Sequence, residues 1–291
     1  MAIAGISLLA SHRMTAERNG PTRAASAPRS SETGTGSEGR YRARIRGALT
    51  FLWIAVAWEL VARYVVRDER MLAPFSDVVR ALIKLFVSGE IWKHLSVSGY
   101  EFALGFLLAS VAGIAVGLAM GTVRPVREYL DPWISGLYAA PLVALAPFYI
   151  MFFGVGLSAK VALVFSVVFF PVVVNTYAGI ASVEPGMIEV AHSFNASRTQ
   201  VLFKVLIPFS LAYIVTGLRL GVGRGLTGVV VGEFFFANAG LGFLVALAGQ
   251  TFNTPLLFAG VLVFAVAGIA LTGGLKRLEQ RLAPWRTVAG E

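Results

Sequence analysis

The stretch EVAHSFN at residues 189–195 is followed by nine residues and then by VLIP at residues 205–208. This polar segment lies between long apolar runs. Glu184 precedes Pro185, which predicts a helix start, because proline at the first helical position loses no needed hydrogen bond. Asn195 tolerates the left-handed backbone conformation that ends a helix. The segment therefore predicts a short helix that ends in a sharp turn.

A second helix is predicted directly after this turn. Ser197 and Gln200 have the spacing of a capping box, in which two side chains bond the free amides at a helix start. Pro208 then marks the entry to the next apolar run. Ala191 shares one face of the first helix with three apolar neighbours, Met187, Ile188 and Phe194. On this local pattern alone, an ordinary connecting loop is the simpler interpretation.

The composition is that of a membrane protein. The chain has 291 residues, of which 56% are hydrophobic and 14% are charged, and its mean hydropathy is +0.73. Soluble domains carry about 25% charged residues. The apolar residues fall into runs of about 20, the length that a helix needs to cross a bilayer. The predicted fold class is therefore all-α, as a polytopic membrane protein.

Six membrane-spanning helices are predicted. Their ranges are 47–66, 102–121, 134–153, 160–182, 209–236 and 256–274. Pro141, Pro147 and Pro171 lie inside the third and fourth ranges and are expected to kink those helices. An amphipathic stretch at 76–95 is too charged to cross, so it is predicted to lie along the membrane interface.

Three regions are predicted. Residues 1–46 form a disordered, basic cytoplasmic tail, residues 47–282 the transmembrane domain with segment 183–208 inside it, and residues 283–291 a cytoplasmic C-terminal tail. The net charge is +9. Because Lys and Arg concentrate on the side of the two termini, the positive-inside rule places both termini in the cytoplasm. The charge therefore indicates a lipid bilayer surface, and nucleic acid is not expected as a partner.

The segment from Glu189 to Pro208 resembles the EAA signature of the inner-membrane permeases of ABC transporters. That signature is Glu-Ala-Ala, three residues, Gly, nine residues and Ile-x-Leu-Pro, and its spacing fits this chain. Four positions depart from the signature: Val190, Asn195, Val205 and Ile207. Asn195 stands where the signature has glycine, and asparagine is one of the few other residues that tolerate a left-handed backbone.

Other stretches resemble the permeases for nitrate, sulfonates and taurine. They lie at 72–76, 105–106, 170–176, 213–221, 230–235 and 239–242. The resemblance implies the fold of a type I ABC importer permease in the cytoplasmic (inner) membrane of a prokaryote. It implies import of a small solute such as a sulfonate, taurine or nitrate. A neutral or cationic cargo, such as a pyrimidine vitamin precursor, stays open because related permeases carry those as well.

The same resemblance implies partners. Two copies of a cytoplasmic ATP-binding subunit would drive the cycle, a second permease copy would complete the path, and an external solute-binding protein would deliver the solute. The short helix would dock on the ATP-binding subunit, so the expected coupling residues are Glu184, Pro185, Glu189, Ala191, Asn195 and Pro208. Glu189 is expected to be exposed and to anchor this contact. No catalytic residue, cofactor or ATPase activity is expected on the chain itself.

Five residues of the fifth span are candidates for the translocation path: Gly217, Arg219, Gly221, Arg224 and Glu233. The two glycines have the small-xxx-small spacing, which serves helix packing equally well. At 1.5 Å per residue, the two arginines lie ~15 Å and ~22 Å from the start of the span. An arginine there attracts an anion, although structural pairing is more common. Glu233 is too far along the helix to reach Arg224, so a partner on another helix is expected.

Other classes of protein have less support. The chain has no cysteine and no phosphate-binding G-x-x-x-x-G-K-[ST] loop, and its three isolated histidines form no metal-binding pattern. A membrane enzyme would need catalytic groups clustered at one membrane face, and no such cluster is evident. A self-powered secondary transporter would be expected to contain inverted repeats, and none is detected.

Overall fold

The computed structural model describes residues 38–282, and the chain divides into two units between Phe51 and Leu52. Residues 1–37 and 283–291 lie outside the described residues, and so does most of the predicted disordered tail. Residues 38–46 were expected to belong to that tail, but they are helical. The correction has a local cause, because this segment contains four arginines, and arginine favours helix.

Eleven α-helices are present in residues 38–282, and this range contains no strand. The helices are α1 (Glu38–Leu60), α2 (Phe75–Val87), α3 (Glu90–Thr122), α4 (Arg124–Ala139), α5 (Ala146–Phe153), α6 (Leu157–Ala181), α7 (Pro185–Ser193), α8 (Arg198–Val201), α9 (Ile207–Phe236), α10 (Leu241–Gln250) and α11 (Thr254–Leu282). Short helical segments of other types occupy Val61–Val66, Leu142–Leu145 and Leu202–Leu206. The prediction of an all-α chain is confirmed.

Five helical segments within the described part of the chain are long and apolar enough to cross a bilayer. They are Ile45–Val66, Glu90–Thr122, Leu157–Ala181, Arg198–Phe235 and Thr254–Arg281. A sixth span results if α4 and α5 count together, although the chain bends by 85° between them. The break falls at Pro141, since proline cannot continue a helical hydrogen-bond ladder. The prediction of about six spans is confirmed at five to six, and the bend of 85° falls inside the third predicted range, 134–153.

The amphipathic segment after the first span is divided differently from the prediction. The range 76–95 was predicted as one interfacial helix, but α2 ends at Val87 and α3 begins at Glu90. Gly89 lies between them with φ of 76°, a conformation that glycine adopts without strain. The third helix therefore starts well before the predicted span at 102.

Helix α6 packs in parallel along α3 through a row of glycines. Gly105, Gly113, Gly117 and Gly121 of α3 face Val164, Val172, Thr176 and Ile180 of α6. The sequence separation is the same in all four pairs, so the two helices run in the same direction. A Cβ atom added to Gly117 would lie 2.6 Å from the Cβ of Thr176. This approach requires glycine, as in other close helix contacts within membranes.

Helix α9 packs against α6 in the antiparallel direction. Gly217 meets Asn175 and Val172, whereas Gly225 meets Val168, nearer the start of α6. Helix α6 therefore lies between α3 and α9, and its valines are buried among them. Gly217 and Gly221, which have the small-xxx-small spacing, both pack on α6.

A second apolar cluster joins α2, α10 and α11 with the beginning of α3. Its buried members are Ala73, Val78, Leu85, Ile91, Leu241, Leu244 and Ala259. Residues 237–255, between the fifth and sixth predicted spans, contain helix α10, in which five residues are buried. Ten residues are too few to cross the membrane, so α10 has no sequence pattern of a membrane span.

Candidate functional site

The segment between α6 and α9 forms the helix, turn and helix that the sequence predicts. Glu184 is extended, with φ of −61° and ψ of 130°, and Pro185 occupies the first turn of α7. Asn195 has φ of 56°, so the prediction of a left-handed turn is confirmed. The amide of Ala196 donates to the carbonyl of Ala191 at 3.1 Å, which closes the end of α7 in the manner of a helix C-cap.

The capping box after the turn is also confirmed. The amide of Gln200 donates to the Ser197 hydroxyl at 3.3 Å, and the Gln200 side chain accepts from the Ser197 amide at 2.8 Å. Pro208 lies in the first turn of α9. The chain passes from α8 through the segment Leu202–Leu206 directly into α9. The short helix α7 is thus joined by a fixed turn to the helical run that carries the fifth span.

Helix α7 has one apolar face turned inward and another left open. Ile188 and Ala191 pack on a cluster formed by Ile180, Val183, Val201 and Leu206. Met187, Val190 and Phe194 are 41%, 57% and 83% exposed. Their spacing of three and four residues places them on one side of the helix. An exposed apolar face on a short helix between two spans indicates a contact with another protein.

Glu189 is exposed, as predicted. Its position is next to Val190 in sequence, so it lies about 100° around α7 from that residue, at the margin of the open apolar face. The carbonyl of Glu189 accepts a hydrogen bond from the Ser193 hydroxyl at 3.0 Å. That bond uses the backbone of Glu189, and the residue itself is exposed beside the surface formed by Met187, Val190 and Phe194.

Helix α9 has one face that no other helix within residues 38–282 covers. The residues of this open face are Thr216, Leu220, Gly223, Arg224, Thr227 and Phe234. The guanidinium carbon of Arg224 lies 4.5 Å from the ring centre of Tyr138 in α4, within the range of a cation–π contact. Such a contact leaves the charge of the guanidinium in place.

The other candidate path residues of α9 face neighbouring helices. Gly217 and Gly221 pack on α6, where an added Cβ atom at Gly221 would lie 3.0 Å from Val168. Arg219 donates from Nη2 to the Glu279 carboxylate at 2.6 Å. Glu279 belongs to the charged C-terminal end of α11, so Arg219 lies beside charged residues and has an acidic partner there.

Glu233 is 1% exposed and joins three helices through hydrogen bonds. Its carboxylate accepts from the Ser98 hydroxyl of α3 at 2.5 Å and from the Gly242 amide at the start of α10 at 2.5 Å. The Ser98 hydroxyl in turn accepts from the Leu241 amide at 2.8 Å. The predicted partner on another helix is therefore present, and the carboxylate binds free amides at a helix N-terminus.

A buried ion pair lies close to these hydrogen bonds. The Lys160 ammonium of α6 contacts the Glu101 carboxylate of α3, and both side chains are buried. The second oxygen of that carboxylate is buried and has no hydrogen-bond partner among the described residues. The His94 ring accepts from the Gly240 amide at 3.0 Å. Polar groups of α3, α6, α9 and α10 thus meet at one end of the bundle.

The sequence prediction missed most members of this buried polar cluster. His94, Ser98 and Glu101 follow one another at spacings of four and three residues, which puts them on one face of a helix. That spacing was the available signal. No group of three or more acidic, histidine or cysteine side chains within residues 38–282 is arranged to hold a metal ion.

Comparison with known proteins gives consistent matches. The family described as "Binding-protein-dependent transport system inner membrane component" matches residues 109–284. The chain is 36% identical to the taurine transport system permease protein TauC of Escherichia coli, over 81% of this chain and 88% of that protein. It is 33% identical to the putative aliphatic sulfonates transport permease protein SsuC of Bacillus subtilis, over 83% and 88%.

Two further similarities concern a different solute and the fold. The formylaminopyrimidine transport permease protein ThiX of Halalkalibacterium halodurans is 31% identical, over 82% of this chain and 94% of that protein. A solved inward-facing structure of the MetNI methionine ABC transporter matches with a TM-score of 0.56 at 17% identity, over 67% of this chain and 98% of the solved chain. The latter similarity supports the fold alone.

Proposed function

The chain belongs to the family of binding-protein-dependent transport system inner membrane components, and from this premise we propose that it imports a small sulfonate. Taurine is the first candidate, and nitrate is a smaller anion with the same single negative charge as a sulfonate group. The chain is the permease subunit of an ABC transporter. The proposed orientation has both termini in the cytoplasm, so that α7 lies on the cytoplasmic side.

The observation that carries this proposal is the open apolar face of α7, formed by Met187, Val190 and Phe194. An amphipathic helix with such a face binds in a hydrophobic groove of a partner. The proposed partner is a separate ATP-binding subunit, present in two copies. Movement of the groove would pass to α9 because the turn at Asn195 and the capping box at Ser197 fix α7 to α8.

The proposed coupling residues have different tasks. Glu184 and Pro185 start α7, Asn195 ends it, and Pro208 starts α9. Ala191 holds α7 to the bundle from its inner side. Glu189 is the charged residue at the margin of the docking face, where it would form a polar contact at the rim.

The proposed translocation path runs along the open face of α9. Arg224 is the cation on that face, and its contact with Tyr138 keeps the charge unneutralised. A sulfonate is recognised well by a guanidinium, which offers several N–H donors to anionic oxygens. Arg219 has an acidic partner in Glu279, so we assign the anion contact to Arg224. A second copy of the chain would complete the path from its opposite side.

A neutral or cationic cargo is the second candidate. The similarity to the formylaminopyrimidine permease of Halalkalibacterium halodurans favours it, because one permease architecture then serves solutes of different charge. The two candidates differ in what they require of Arg224. An anionic cargo uses its positive charge, whereas a neutral or cationic cargo gains nothing from it.

Transport in proteoliposomes tests the function. The full chain is reconstituted with its ATP-binding subunit and its solute-binding protein, and uptake of labelled taurine is measured with and without ATP. We expect ATP-dependent uptake that falls at least tenfold in Arg224→Gln, because hydrogen bonds to a charged group contribute about 1.5–3 kcal/mol. Arg224→Lys should retain part of the uptake, and Arg127→Gln, at an exposed cation of α4, should retain all of it.

Three results would contradict parts of this proposal. Uptake without nucleotide would exclude an ATP-driven mechanism. Uptake of a labelled pyrimidine but not of taurine would favour the second candidate. Full taurine uptake by Arg224→Gln would remove the assigned anion contact and leave the rest of the mechanism intact.

Docking is tested separately by co-purification. Phe194→Asp and Val190→Asp each place a charge on the open apolar face of α7, and both should lower the amount of ATP-binding subunit that co-purifies with the chain. Glu189→Lys should lower it less. His192→Asp provides the matched control, because it also introduces an aspartate on α7, at an exposed position on the opposite side of the helix from that face. Equal recovery with all four variants would exclude α7 as the docking helix.

A further inference from the structure

A groove of about 470 Å³ lies between α9 and α11, away from the open face of α9. On α11 it is lined by Gly268, Thr272 and Gly273, and it ends at Lys276. Arg219 of α9 lines the same end. The α11 residues recur at helical spacing from 265 to 276, so the groove follows the helix for ~16 Å. One end of an elongated apolar groove is therefore cationic.

The α11 side of the groove combines the small residues Gly268, Thr272 and Gly273 with Ile269. A Cβ atom added to Gly268 would meet Leu226 of α9 at 3.2 Å, so α9 forms the floor at this point. A Cβ atom added to Gly273 would meet no atom of the described residues within 4 Å. The space next to Gly273 is therefore large enough for a side chain of another molecule or for a hydrocarbon chain.

The charge of the groove favours an anionic occupant. Arg219 and Lys276 contribute two positive charges, and Glu279 neutralises one of them through its bond to Arg219. One positive charge remains at the end of α11 where Arg277 and Arg281 also lie. The apolar part of the groove lies within a membrane-spanning helix, whereas the cationic part lies at its charged end. This arrangement matches the shape of a phospholipid, in which a charged headgroup caps apolar chains.

We propose that this groove binds an anionic phospholipid. The headgroup phosphate lies at Lys276, next to the Arg219–Glu279 pair, and one acyl chain lies along the Gly268 and Gly273 side of α11. Basic pockets between membrane helices are known to accept anionic headgroups. A second copy of the chain is a poorer occupant, because a twofold contact would bring the two equivalent cationic ends towards each other.

This site is separate from the proposed path. Arg219 and Arg224 are five residues apart, so their side chains point about 140° apart around α9. A solute that contacts Arg224 does not reach the groove. The lipid site depends only on the membrane location of the chain, and it holds whichever solute the permease carries.

Native mass spectrometry of the purified full chain tests the site. Phosphatidylglycerol and phosphatidylcholine with identical acyl chains are titrated separately, and the bound lipids are counted. We expect tighter binding of phosphatidylglycerol. Lys276→Gln should weaken that binding about fivefold, and Arg277→Gln, which removes a neighbouring exposed cation outside the groove, should not.

A second pair of variants tests the groove by its shape. Gly273→Leu fills the open space, whereas Gly274→Leu adds the same side chain at the next position, which also has no atom within 4 Å but does not line the groove. Only Gly273→Leu should lower phosphatidylglycerol binding.

The proposal is overturned by any of three results. Equal binding of the two lipids would exclude recognition of an anionic headgroup. Equal effects of the two variants in either pair would exclude this groove as the site. Dissociation of an oligomer in Gly273→Leu, with lipid binding unchanged, would identify a second copy of the chain as the occupant.

Discussion

Replacing Glu233 by alanine should destabilise the end of the bundle where α3, α9 and α10 meet. The carboxylate accepts hydrogen bonds at 2.5 Å from Ser98 and from the Gly242 amide, and it is buried. A buried amide that loses its acceptor costs about 1–3 kcal/mol. The cavity left by the side chain adds roughly 1–2 kcal/mol. The Ser98 hydroxyl can rotate to another acceptor, so the loss of its hydrogen bond is left out of this sum. The expected decrease in the free energy of unfolding is about 3 kcal/mol.

This decrease in the free energy of unfolding is large enough to be measured as a shift in the melting temperature. For chains of 150–250 residues, 1 kcal/mol shifts the melting temperature by about 2–4 °C, so Glu233→Ala should lower it by about 6–12 °C. The melting temperature of the full chain in detergent is followed by fluorescence-detected size-exclusion chromatography after heating. Glu233→Gln keeps the shape of the side chain, and its carbonyl can still accept from the Gly242 amide. Its shift should be less than half that of the alanine variant.

Glu128→Ala is the control for removing a carboxylate as such. Glu128 forms an exposed pair with Arg124 at 2.7 Å, and exposed pairs contribute about 0–1 kcal/mol. Its melting temperature should stay within about 4 °C of the unmodified chain. The reasoning is refuted if Glu233→Ala melts like Glu128→Ala, or if the glutamine variant loses as much as the alanine variant.

Three other predictions follow from the packing and the turn. Gly117→Ala should lower the melting temperature by about 3–10 °C, because the new Cβ would lie 2.6 Å from a side-chain atom of α6. Gly99→Ala in the same helix is the control: its new Cβ would lie in open space, so the melting temperature should not fall. Asn195→Gly should keep ATP-dependent uptake, whereas Asn195→Val should reduce it, because a β-branched residue is strained at φ of 56°. Equal uptake by the two variants would argue against a left-handed turn. Lys160→Met leaves the Glu101 carboxylate buried without its cation and should cost about 3–5 kcal/mol, and adding Glu101→Gln should restore most of that stability in the same melting assay.

The helix, turn and helix between α6 and α9 could be predicted from the sequence because every signal in it is local. Pro185 starts a helix through its own ring, and Asn195 allows the left-handed turn through its own backbone preference. Ser197 and Gln200 bond each other's amides within one turn. None of these features depends on a distant part of the chain.

The buried polar cluster could not be predicted in the same way. Ser98 and Glu233 are 135 residues apart in sequence, and Glu101 and Lys160 are 59 apart. Their contacts exist only after α3, α6 and α9 have packed. The same polar residues lower the hydropathy at the beginning of α3, so the predicted span began at 102 and the helix begins at Glu90.

The packing of α3 on α6 had a sequence signal that the prediction did not use. Gly105, Ala109, Gly113, Gly117 and Gly121 recur every four residues, which places small residues along one side of a helix. The signal identifies the contact face of α3. It does not identify α6 as the partner, because long apolar helices with many valines are similar to one another in pattern.

The two arginines of α9 illustrate how packing separates residues that look equivalent in sequence. Both lie inside an apolar run, and each was a candidate for contact with an anion. Arg219 meets Glu279, and that ion pair compensates its charge. Arg224 meets the ring of Tyr138, which stabilises a cation without adding a negative charge. The positive potential along the open face of α9 therefore depends mainly on Arg224, since positive charge attracts an anion only where no carboxylate has already neutralised it. Exchanging Arg224 for a neutral residue should therefore change which solutes are transported. Exchanging Arg219 for a neutral residue should mainly lower the stability of the chain, because Glu279 loses its partner.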